Sequence, residues 1–294
     1  MICFPNAKIN IGLRVTSRRP DGFHDIETVF YPVFLQDVLE AVPAEDFSLH
    51  LSGIPIDGRS DDNLVARAWR LMAEEVHAAP MDVYLHKAIP FGAGLGGGSA
   101  DAAFLLKLIN EAQGLGLDDK RLEQLAARLG ADCSFFIRNR PVYAYGKGEC
   151  LESIDLSLKG CFLLLVKPDV HVSTAEAYRG VMDATRLYLQ QHSEAPWKDA
   201  GAASAFHSTT ALPDFLCAHP VEDWKDFVVN DFEHTVFPLH PEIAAIKQRL
   251  YDMGACYASM SGSGSSVFGI FKERPQVSVN AFPDCFTAVE ALRF

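Results

Sequence analysis

The feature that most constrains this chain is a glycine-rich segment, Pro90–Ala100, which contains five glycines. Clustered glycines let the backbone adopt positive φ angles and approach a ligand closely. The helix predicted next, over Ala100–Asn110, offers unpaired backbone N–H groups and the positive end of its dipole. Together these features form a cradle for phosphate groups. The segment therefore predicts a nucleotide or another phosphorylated ligand.

Three other interpretations of the glycine-rich segment fit its context less well. Gly92, Gly94 and Gly97 match a dinucleotide-binding fingerprint, which would predict an NAD-binding oxidoreductase. That fingerprint directly follows a buried first strand, whereas this one lies about ninety residues into the chain. A Walker loop requires a lysine after the glycines, and Ser99 follows them here. A flexible surface loop is disfavoured by the apolar segments on both sides.

The length and charge of the chain limit its classes of function. Its 294 residues are enough for two domains of ordinary size, which we expect over residues 1–155 and 156–294. The net charge of −12 argues against a nucleic-acid-binding surface, so we expect a small-molecule partner. A site for an anionic nucleotide must then be locally positive against the overall field.

The cysteine and apolar patterns indicate a cytoplasmic protein. The seven cysteines are odd in number and form no C-x-x-C pair, which is typical of reduced thiols. The first residues do not resemble a signal peptide, and the longest clean apolar run, Cys161–Val166, is too short to span a membrane. Because His77, His192, His207 and His240 lack ligand-like spacing, we expect no metal cluster held by the protein.

Hydrophobic periodicity predicts a mixture of strands and helices, with a turn at Arg18–Gly22. Predicted strands are Ile9–Val15, further strands within Phe23–Val42, Ser48–Leu51, Val83–His86, Gly160–Val166, Ala255–Met260 and Val267–Phe271. Predicted helices run from a cap at Asp61 or Asp62 to Val76, over Ala100–Asn110, from a cap at Asp118 to a stop at Gly130, from a capping box at Ser173–Glu176, and over Pro241–Met253 with a stop at Gly254. Residues 183–220 show no clear period.

Four short segments require a joint explanation: Asn6–Asn10, Pro90–Ala103, Gly130–Phe136 and Ser261–Ser266. Together they resemble the GHMP small-molecule kinases, and the resemblance covers nearly the whole chain. Asp21–His24, after the Lys-x-Asn motif, narrows the resemblance to kinases whose acceptor carries a cytidine diphosphate. Further segments that resemble the family are Arg19–His24, Asp62–Val65, Gly146–Glu149, Val172–Ala175, Asn230–Glu233 and Met260–Gly264.

The resemblance implies an α+β fold of two domains. The N-terminal one would be like domain 2 of ribosomal protein S5, and the C-terminal one ferredoxin-like. It also implies ATP-dependent phosphorylation of a hydroxyl group in the non-mevalonate route to isoprenoid precursors, with Mg²⁺ neutralising the polyphosphate. We expect a monomer or a weak homodimer.

Two alternative functions remain open. One is a GHMP kinase with another acceptor, such as homoserine, mevalonate or a sugar, although Phe23 and His24 suit an acceptor with a base. The other is a catalytically inactive regulatory protein, which would bind nucleotide without turnover. The presence of both Lys8 and Asp132 argues against an inactive protein.

Lys8 and Asp132 are the catalytic pair that the resemblance implies. A carboxylate at Asp132 can accept the proton of the attacking hydroxyl, and Lys8 can hold that carboxylate ionised and stabilise charge on the transferring group. Taken alone, Asp132 would be interpreted as a helix cap near Gly130, and Lys8 as a strand lysine with a solvated amine.

The predicted ATP site is centred on the glycine-rich segment. Ser99 would bond a phosphate or help to hold Mg²⁺, or it would serve only as a helix N-cap. Lys87 and Asn63 match family positions near the adenine, although Lys87 alone would be an exposed strand lysine. The predicted ATP-binding residues are Asn63, Lys87, Pro90, Gly92, Gly94, Gly96, Gly97, Gly98, Ser99 and Ala100.

Five residues are predicted to bind the acceptor. Asn10 and His24 would contact it, His24 at the edge of the cytosine, and Phe23 would stack on the face of the base. The family often has Tyr at the position of Phe23, so one hydroxyl contact is lost here. Tyr178 would cover the opposite face of the base or pack in the core. Thr174 would bond the acceptor or belong to the first turn of a helix.

Two further motifs receive a structural interpretation. The resemblance implies that Ser261–Ser266 packs beside the phosphate loop, and a tight turn between strands is compatible with that role. Asn230–Glu233 matches a family signature, for which we expect a structural role rather than chemistry.

Overall fold

The computed structural model describes residues 1–56, 62–181 and 211–294. In this part of the chain the strands are β1 Ile2–Cys3, β2 Asn6–Arg18, β3 His24–Gln36, β4 Val38–Pro43, β5 Ser48–Gly53, β6 Met81–Lys87, β7 Val142–Gly146, β8 Cys150–Ser153, β9 Phe162–Pro168, β10 Tyr257–Met260, β11 Val267–Phe271 and β12 Cys285–Ala291. The helices are α1 Leu64–Val76, α2 Gly97–Ala112, α3 Asp119–Ala127, α4 Phe135–Arg138, α5 over residues 174–181, α6 Leu212–Ala218, α7 Glu233–Leu239 and α8 Pro241–Asp252.

The described strands form three four-stranded sheets, ordered β1-β4-β6-β5, β2-β3-β7-β8 and β10-β11-β9-β12. Strand β5 runs parallel to β6, whereas β4 and β6, β7 and β8, and β9 and β11 are antiparallel. Helices and mostly antiparallel sheets therefore occur together, as the predicted α+β class requires.

The chain divides into two compact units that are discontinuous in sequence. The first unit comprises Met1–Lys8, Pro32–Phe91 and Leu95–Arg140. The second unit comprises Ile9–Tyr31, Gly92–Gly94 and Pro141–Phe294. The division after residue 155 stays a prediction.

In the first unit, helix α2 is buried around most of its circumference. Its buried residues include Ala100, Ala103, Leu106 and Ile109, and apolar side chains occupy most other positions as well. A helix that is apolar on all sides is enclosed by the protein. Since α2 begins at Gly97, the glycine-rich segment leads directly into one of the most enclosed elements of the unit.

In the second unit, helix α8 covers the sheet β10-β11-β9-β12. Ile243, Ile246 and Leu250 lie on one face of α8 and share a hydrophobic cluster with Leu164 and Val166 of β9. This packing confirms the amphipathic helix predicted from Pro241, and Gly254 ends it with a φ of 93°.

The predicted helix boundaries are confirmed in part. Asp118 caps α3, because its side chain accepts a hydrogen bond from the Arg121 N–H. The stop at Gly130 is wrong, since α3 ends at Ala127 and the chain leaves it through a tight turn in which the Leu129 N–H donates to the Ala126 carbonyl. Helix α2 begins three residues before the predicted start at Ala100.

The predicted cap of α1 is also corrected. Asn63, not Asp62, caps this helix, because its backbone is extended and its side chain accepts from the Val65 N–H at 2.9 Å. Asp61, His192, His207 and residues 183–210 lie outside the described residues. The remainder of the unpatterned 183–220 region contains α6.

Within the described ranges, no helix is long and apolar enough to cross a membrane.

Candidate active site

Lys8 and Asp132 lie side by side in the first unit, although 124 positions separate them. The Lys8 Nζ is 3.3 Å from Asp132 Oδ2, and the side chain of Lys8 is 5% exposed against 32% for Asp132. The buried lysine excludes the interpretation as a solvated strand residue. The helix-cap interpretation of Asp132 is also wrong, because Ser134 holds the N-cap position of α4. The pair thus combines an enclosed cation with a carboxylate that a ligand can reach.

The glycine-rich segment adopts the backbone conformations that its composition predicts. Gly92, Gly94 and Gly96 have φ angles of 62°, 74° and 70°. A Cβ on Gly94 would clash with the Ser261 carbonyl oxygen, and one on Gly96 would lie 3.1 Å from the side chain of Lys8. The backbone N–H of Lys8 also donates to the Leu95 carbonyl at 2.9 Å. The loop therefore packs closely against the strand that carries Lys8.

Ser99 lies in the first turn of α2, whose N-cap position is Gly96. The interpretation of Ser99 as a plain N-cap is therefore wrong. No side chain caps α2, so its first N–H groups point at the loop without a side-chain acceptor. The Ser99 hydroxyl hydrogen-bonds the thiol of Cys133, whose pKa is raised to about 11 chiefly by burial. That bond ties Ser99 to the neighbour of Asp132.

Asn63 and Lys87, predicted near the adenine, both have structural partners. The Asn63 oxygen is used in capping α1. The amine of Lys87 donates to Asp37 and to Asp101, and Lys87 is 3% exposed, so the interpretation as an exposed lysine is wrong. Their contact with adenine stays a prediction.

The second unit contains a cavity of about 590 Å³ that brings four of the five predicted acceptor residues together. Phe23 comes from the turn between β2 and β3 and His24 from the first position of β3, and Thr174 and Tyr178 come from α5. About 150 residues separate these two groups along the chain. The resemblance implied a shared role for them, and the fold places them on one surface.

His24 presents an imidazole edge at this cavity. Its ring stacks on Tyr178, with centroids 4.7 Å apart and an interplanar angle of 13°. Its Nε2 is buried and has no hydrogen-bond partner within the described part of the chain. Burial, and then the nearby Arg18, lower the pKa of His24, so the ring is neutral at pH 7. A neutral imidazole in the wall of a cavity suits the polar edge of a base, because it carries both a donor and an acceptor.

The aromatic groups are arranged differently from the predicted sandwich. Tyr178 packs edge-on against Phe232 of the core and has one face covered by His24, so it contributes to both the core and the cavity. Phe23 is 61% exposed, with the Lys147 amine 5.1 Å from its ring centre. Phe23 therefore offers an open face for stacking, whereas the face of Tyr178 toward His24 is occupied.

Thr174 and Asn10 also have polar partners. The Thr174 hydroxyl lies 3.0 Å from that of Ser263, and Thr174 is the first residue of α5. Asn10 is buried, donates from its side chain to Thr28 at 3.1 Å, and does not line the cavity. The contacts of both residues with the acceptor stay predictions.

The Ser261–Ser266 segment packs beside the glycine-rich loop, as the resemblance implied. The Ser261 hydroxyl donates to the Gly94 carbonyl at 2.9 Å. Asn230 supports this segment from behind, because its side-chain amide donates to the carbonyls of Met260 and Gly262, each at 2.8 Å. The structural role expected for the Asn230 motif is thereby confirmed.

Three cations at the cavity were missed. Arg18, Lys147 and Arg179 line it together with the aromatic residues. The requirement for a locally positive site in an acidic chain was the available signal, since Arg18 and Arg179 are sequence neighbours of predicted site residues and Lys147 lies in a family motif. Among the described residues, no cluster of three or more His, Cys, Asp or Glu side chains is arranged to hold a metal.

Comparison with known proteins defines the class. The model "GHMP kinases N terminal domain" matches residues 63–140, and "GHMP kinases C terminal" matches residues 215–280. These two domains in this order are those of the GHMP kinases, and ATP use is common to that class.

Full-length relatives define the family more narrowly. The chain is 50% identical to 4-diphosphocytidyl-2-C-methyl-D-erythritol kinase of Parabacteroides distasonis over 97% of both chains, and 51% identical to that of Bacteroides thetaiotaomicron over 92% of both. A crystal structure of 4-(cytidine 5'-diphospho)-2C-methyl-D-erythritol kinase matches with a TM-score of 0.71 and 32% identity, covering 92% of this chain and 89% of that one. The chain belongs to the 4-diphosphocytidyl-2-C-methyl-D-erythritol kinase family of the GHMP kinases.

Family membership confirms the fold and the resemblance seen in the sequence. A homoserine kinase from Cytophaga hutchinsonii has a TM-score of 0.61 at 16% identity, with 98% of this chain and 95% of that chain covered. At that identity the match shows a shared fold alone.

Proposed function

We propose that this chain transfers the γ-phosphate of ATP to the 2-hydroxyl of 4-diphosphocytidyl-2-C-methyl-D-erythritol, a step of the non-mevalonate (MEP) route to isoprenoid precursors. The observation that carries the proposal is the cavity of the second unit, where Phe23, His24 and Tyr178 lie among three cations. Relatives of the same name, at 50% identity over 97% of both chains, support this acceptor.

The cavity suits both halves of a cytidine diphosphate. The exposed ring of Phe23 offers a stacking surface, and the neutral His24 imidazole in the cavity wall offers a partner for the cytosine edge. Base stacking on an aromatic side chain contributes about 1–3 kcal/mol. Arg18, Lys147 and Arg179 form no ion pair with a carboxylate of the described residues, so their charges are available to a diphosphate. Homoserine, mevalonate and sugars carry neither a base nor a diphosphate.

Lys8 and Asp132 are proposed to carry the chemistry. Asp132 accepts the proton of the 2-hydroxyl as that oxygen attacks the γ-phosphorus in line. Lys8 holds the carboxylate in place through their 3.3 Å contact and stabilises the charge of the transferring group. The phosphate passes directly from ATP to the acceptor, without a phosphorylated enzyme.

The glycine-rich segment and the start of α2 are proposed to bind the ATP phosphates. The first N–H groups of α2 have no capping side chain and are free to donate to an anion. The Ser99 hydroxyl in that turn suits Mg²⁺, which usually keeps few protein ligands and takes the rest from phosphates and water. When bound with ATP, Mg²⁺ neutralises the polyphosphate. Asn63 and Lys87 are proposed to lie near the adenine.

An acceptor panel tests the proposal. Purified protein is mixed with Mg-ATP and, separately, with 4-diphosphocytidyl-2-C-methyl-D-erythritol, homoserine, mevalonate and galactose, while ADP release and product mass are followed. We expect one added phosphate on the cytidyl compound only. Turnover of another acceptor would assign a different substrate, and ATP binding without any turnover would indicate an inactive regulatory protein.

Localisation and assembly are part of the same proposal. A cytoplasmic monomer or weak homodimer is expected, and light scattering during size-exclusion chromatography measures its mass. A stable higher oligomer would contradict this expectation.

A further inference from the structure

Three buried ionisable side chains of the first unit, Asp37, Lys87 and Asp101, form a hydrogen-bonded network beside the glycine-rich loop. Each is at most 3% exposed. The amine of Lys87 donates to Asp37 and, at 2.7 Å, to Asp101. Removing charges from water is costly even when they are paired. We therefore expect a buried network of this kind to hold neighbouring segments of the chain in a fixed arrangement, and not only to stabilise the fold.

The network joins the two ends of the glycine-rich loop. Asp37, between β3 and β4, accepts backbone hydrogen bonds from Ala88 at 2.6 Å and Ile89 at 2.8 Å, directly before the loop. Asp101 lies on α2, directly after the loop. Lys87, the last residue of β6, connects the two carboxylates. One ion network thus fixes the strand that enters the loop and the helix that leaves it.

The start of α2 is packed against the same network. A Cβ on Gly97 would lie 2.9 Å from Ile89 and 3.3 Å from the Lys87 amine, so the first helical residue has almost no space around it. The second oxygen of Asp101, Oδ1, is buried without a hydrogen-bond partner in the described part of the chain. Lys87 donates to the other oxygen, Oδ2, and so links Asp101 to the strand side of the loop, and Asp37 is a further polar neighbour of Asp101.

We propose that Asp37, Lys87 and Asp101 are positioning residues that hold the glycine-rich loop in its phosphate-binding conformation. This inference rests on the proposed function, because it takes the loop as the site of the ATP phosphates. The network sets the separation between the end of β6 and the start of α2, and with it the direction of the first N–H groups of α2. Lys87 therefore supports ATP binding through the loop backbone, with its amine engaged by Asp37 and Asp101.

Asp101→Leu tests this assignment. It cuts the tie to α2 and leaves the pair of Lys87 and Asp37 intact. The variant removes a buried hydrogen bond that joins the strand before the loop to the helix after it, so we expect the Kd of a non-hydrolysable ATP analogue to rise about tenfold. The KM of the cytidyl acceptor should not change. Asp101→Asn keeps an oxygen for Lys87 and should bring the Kd back to within about threefold of wild type.

Leu106→Ala is the matched control. It opens a cavity at a fully buried position of the same helix without removing a polar group. It should lower the melting temperature and leave the affinity for the ATP analogue unchanged. If Asp101→Leu does not fold, Asp101→Ala, with a smaller side chain, replaces it in the same measurement.

Wild-type affinity for the ATP analogue in folded Asp101→Leu, or in its alanine replacement, would overturn the inference. A loss of ATP affinity in Leu106→Ala equal to that in Asp101→Leu would overturn it as well, because general loosening of α2 would then explain both. The proposal about the acceptor would be contradicted by a different result, in which the wild-type chain binds ATP but does not phosphorylate the cytidyl compound. That result leaves the test of the loop intact.

Discussion

The cations beside the glycine-rich loop of the first unit and those at the cavity of the second unit have opposite surroundings. In the first unit, Lys87 is enclosed and paired with two carboxylates, and Lys8 is enclosed beside Asp132. In the second unit, Arg18 and Arg179 line a cavity and form no ion pair with a described carboxylate. Enclosed and paired charges fix geometry, because their partners and the surrounding protein leave them no freedom. Open and unpaired charges remain available to a ligand.

This difference matches the demands of the proposed reaction. Phosphoryl transfer depends on accurate placement of the phosphates and of the attacking hydroxyl, so rigid groups suit that part. Recognition of a large, anionic acceptor depends more on attraction and contact area, so accessible cations and an exposed ring suit that part. Substitutions in the two units should therefore change different kinetic constants.

The largest effect is expected at Asp132. Asp132→Asn removes the proton acceptor and keeps the shape of the side chain, so kcat should fall by about a hundredfold to ten-thousandfold. The Kd of the ATP analogue should stay within about threefold, because few phosphate contacts are lost. Stopped assays of product mass measure the turnover. Asp119→Asn, an exposed acid at the start of α3, is the control, and near-normal turnover in Asp132→Asn would remove Asp132 from its role.

His24→Ala should have the next largest effect, and it should change the KM of the acceptor rather than kcat. Loss of the imidazole edge and of its stack on Tyr178 should raise the KM of the cytidyl acceptor about tenfold, with little change in the KM of ATP. The two values come from initial rates with each substrate varied in turn. His219→Ala, an exposed histidine of the same unit, is the control. Equal increases in both KM values would disprove the assignment of His24 to the base.

Arg179→Ala should raise the KM of the acceptor by a smaller factor, and this factor should depend on the salt concentration. Removal of one cavity cation should raise the acceptor KM about fivefold at low ionic strength, and added salt should shrink this difference because the charge is open to solvent. Arg274→Ala removes an equal charge from an exposed position of the same unit and should leave the KM unchanged. An effect of Arg179→Ala that is independent of salt would indicate packing rather than charge.

The last prediction concerns the pH dependence of stability, not a kinetic constant. The pKa of Asp101 is raised to about 7, chiefly by burial; the charge of Lys87 opposes the shift and that of Asp37 adds to it. Burial also raises the pKa of the nearby Cys3 thiol to about 12, so this thiol is neutral. Between about pH 4, where an unfolded aspartate titrates, and about pH 7, the folded chain keeps a proton that the unfolded chain has released. The free energy of unfolding therefore falls as pH rises through this window.

Asp101→Asn removes the group that titrates, so this variant is the reference for the wild-type chain. The wild-type chain should lose stability relative to Asp101→Asn as pH rises from about 5 to about 7, and the difference should level off above that. Urea unfolding of both proteins at several pH values measures it. Curves that run parallel across the window would show that Asp101 is ionised throughout.

The sequence predicted the site residues better than their surroundings. Motifs that resemble the family identified Lys8 with Asp132, and Phe23 and His24 with Thr174 and Tyr178, and the fold brings each group together. Asp37 lies outside these motifs, and Asp101 lies inside Pro90–Ala103 but received no role, because an acidic residue in a sequence looks like a solvated one. Their partner Lys87 was identified, but its burial between two carboxylates depends on three distant segments that only the fold brings together.

The helix boundaries also show that sequence predicts short-range features better than features that depend on tertiary structure. Asp118 as a cap and Gly254 as a stop follow from short-range chemistry and were predicted correctly. The sequence did not identify Asn63 as the cap of α1, because Asp61 and Asp62 are equally good capping residues. The choice among the three depends on the residue at which the tertiary structure starts α1.

The separation of roles between the units is tested most directly by measuring two affinities in two variants. The Kd of the non-hydrolysable ATP analogue and the Kd of the cytidyl acceptor are determined by calorimetry for Arg179→Ala and Asp101→Leu. We expect Arg179→Ala to weaken the acceptor alone and Asp101→Leu to weaken the nucleotide alone. Comparable losses of both affinities in either variant would contradict the account.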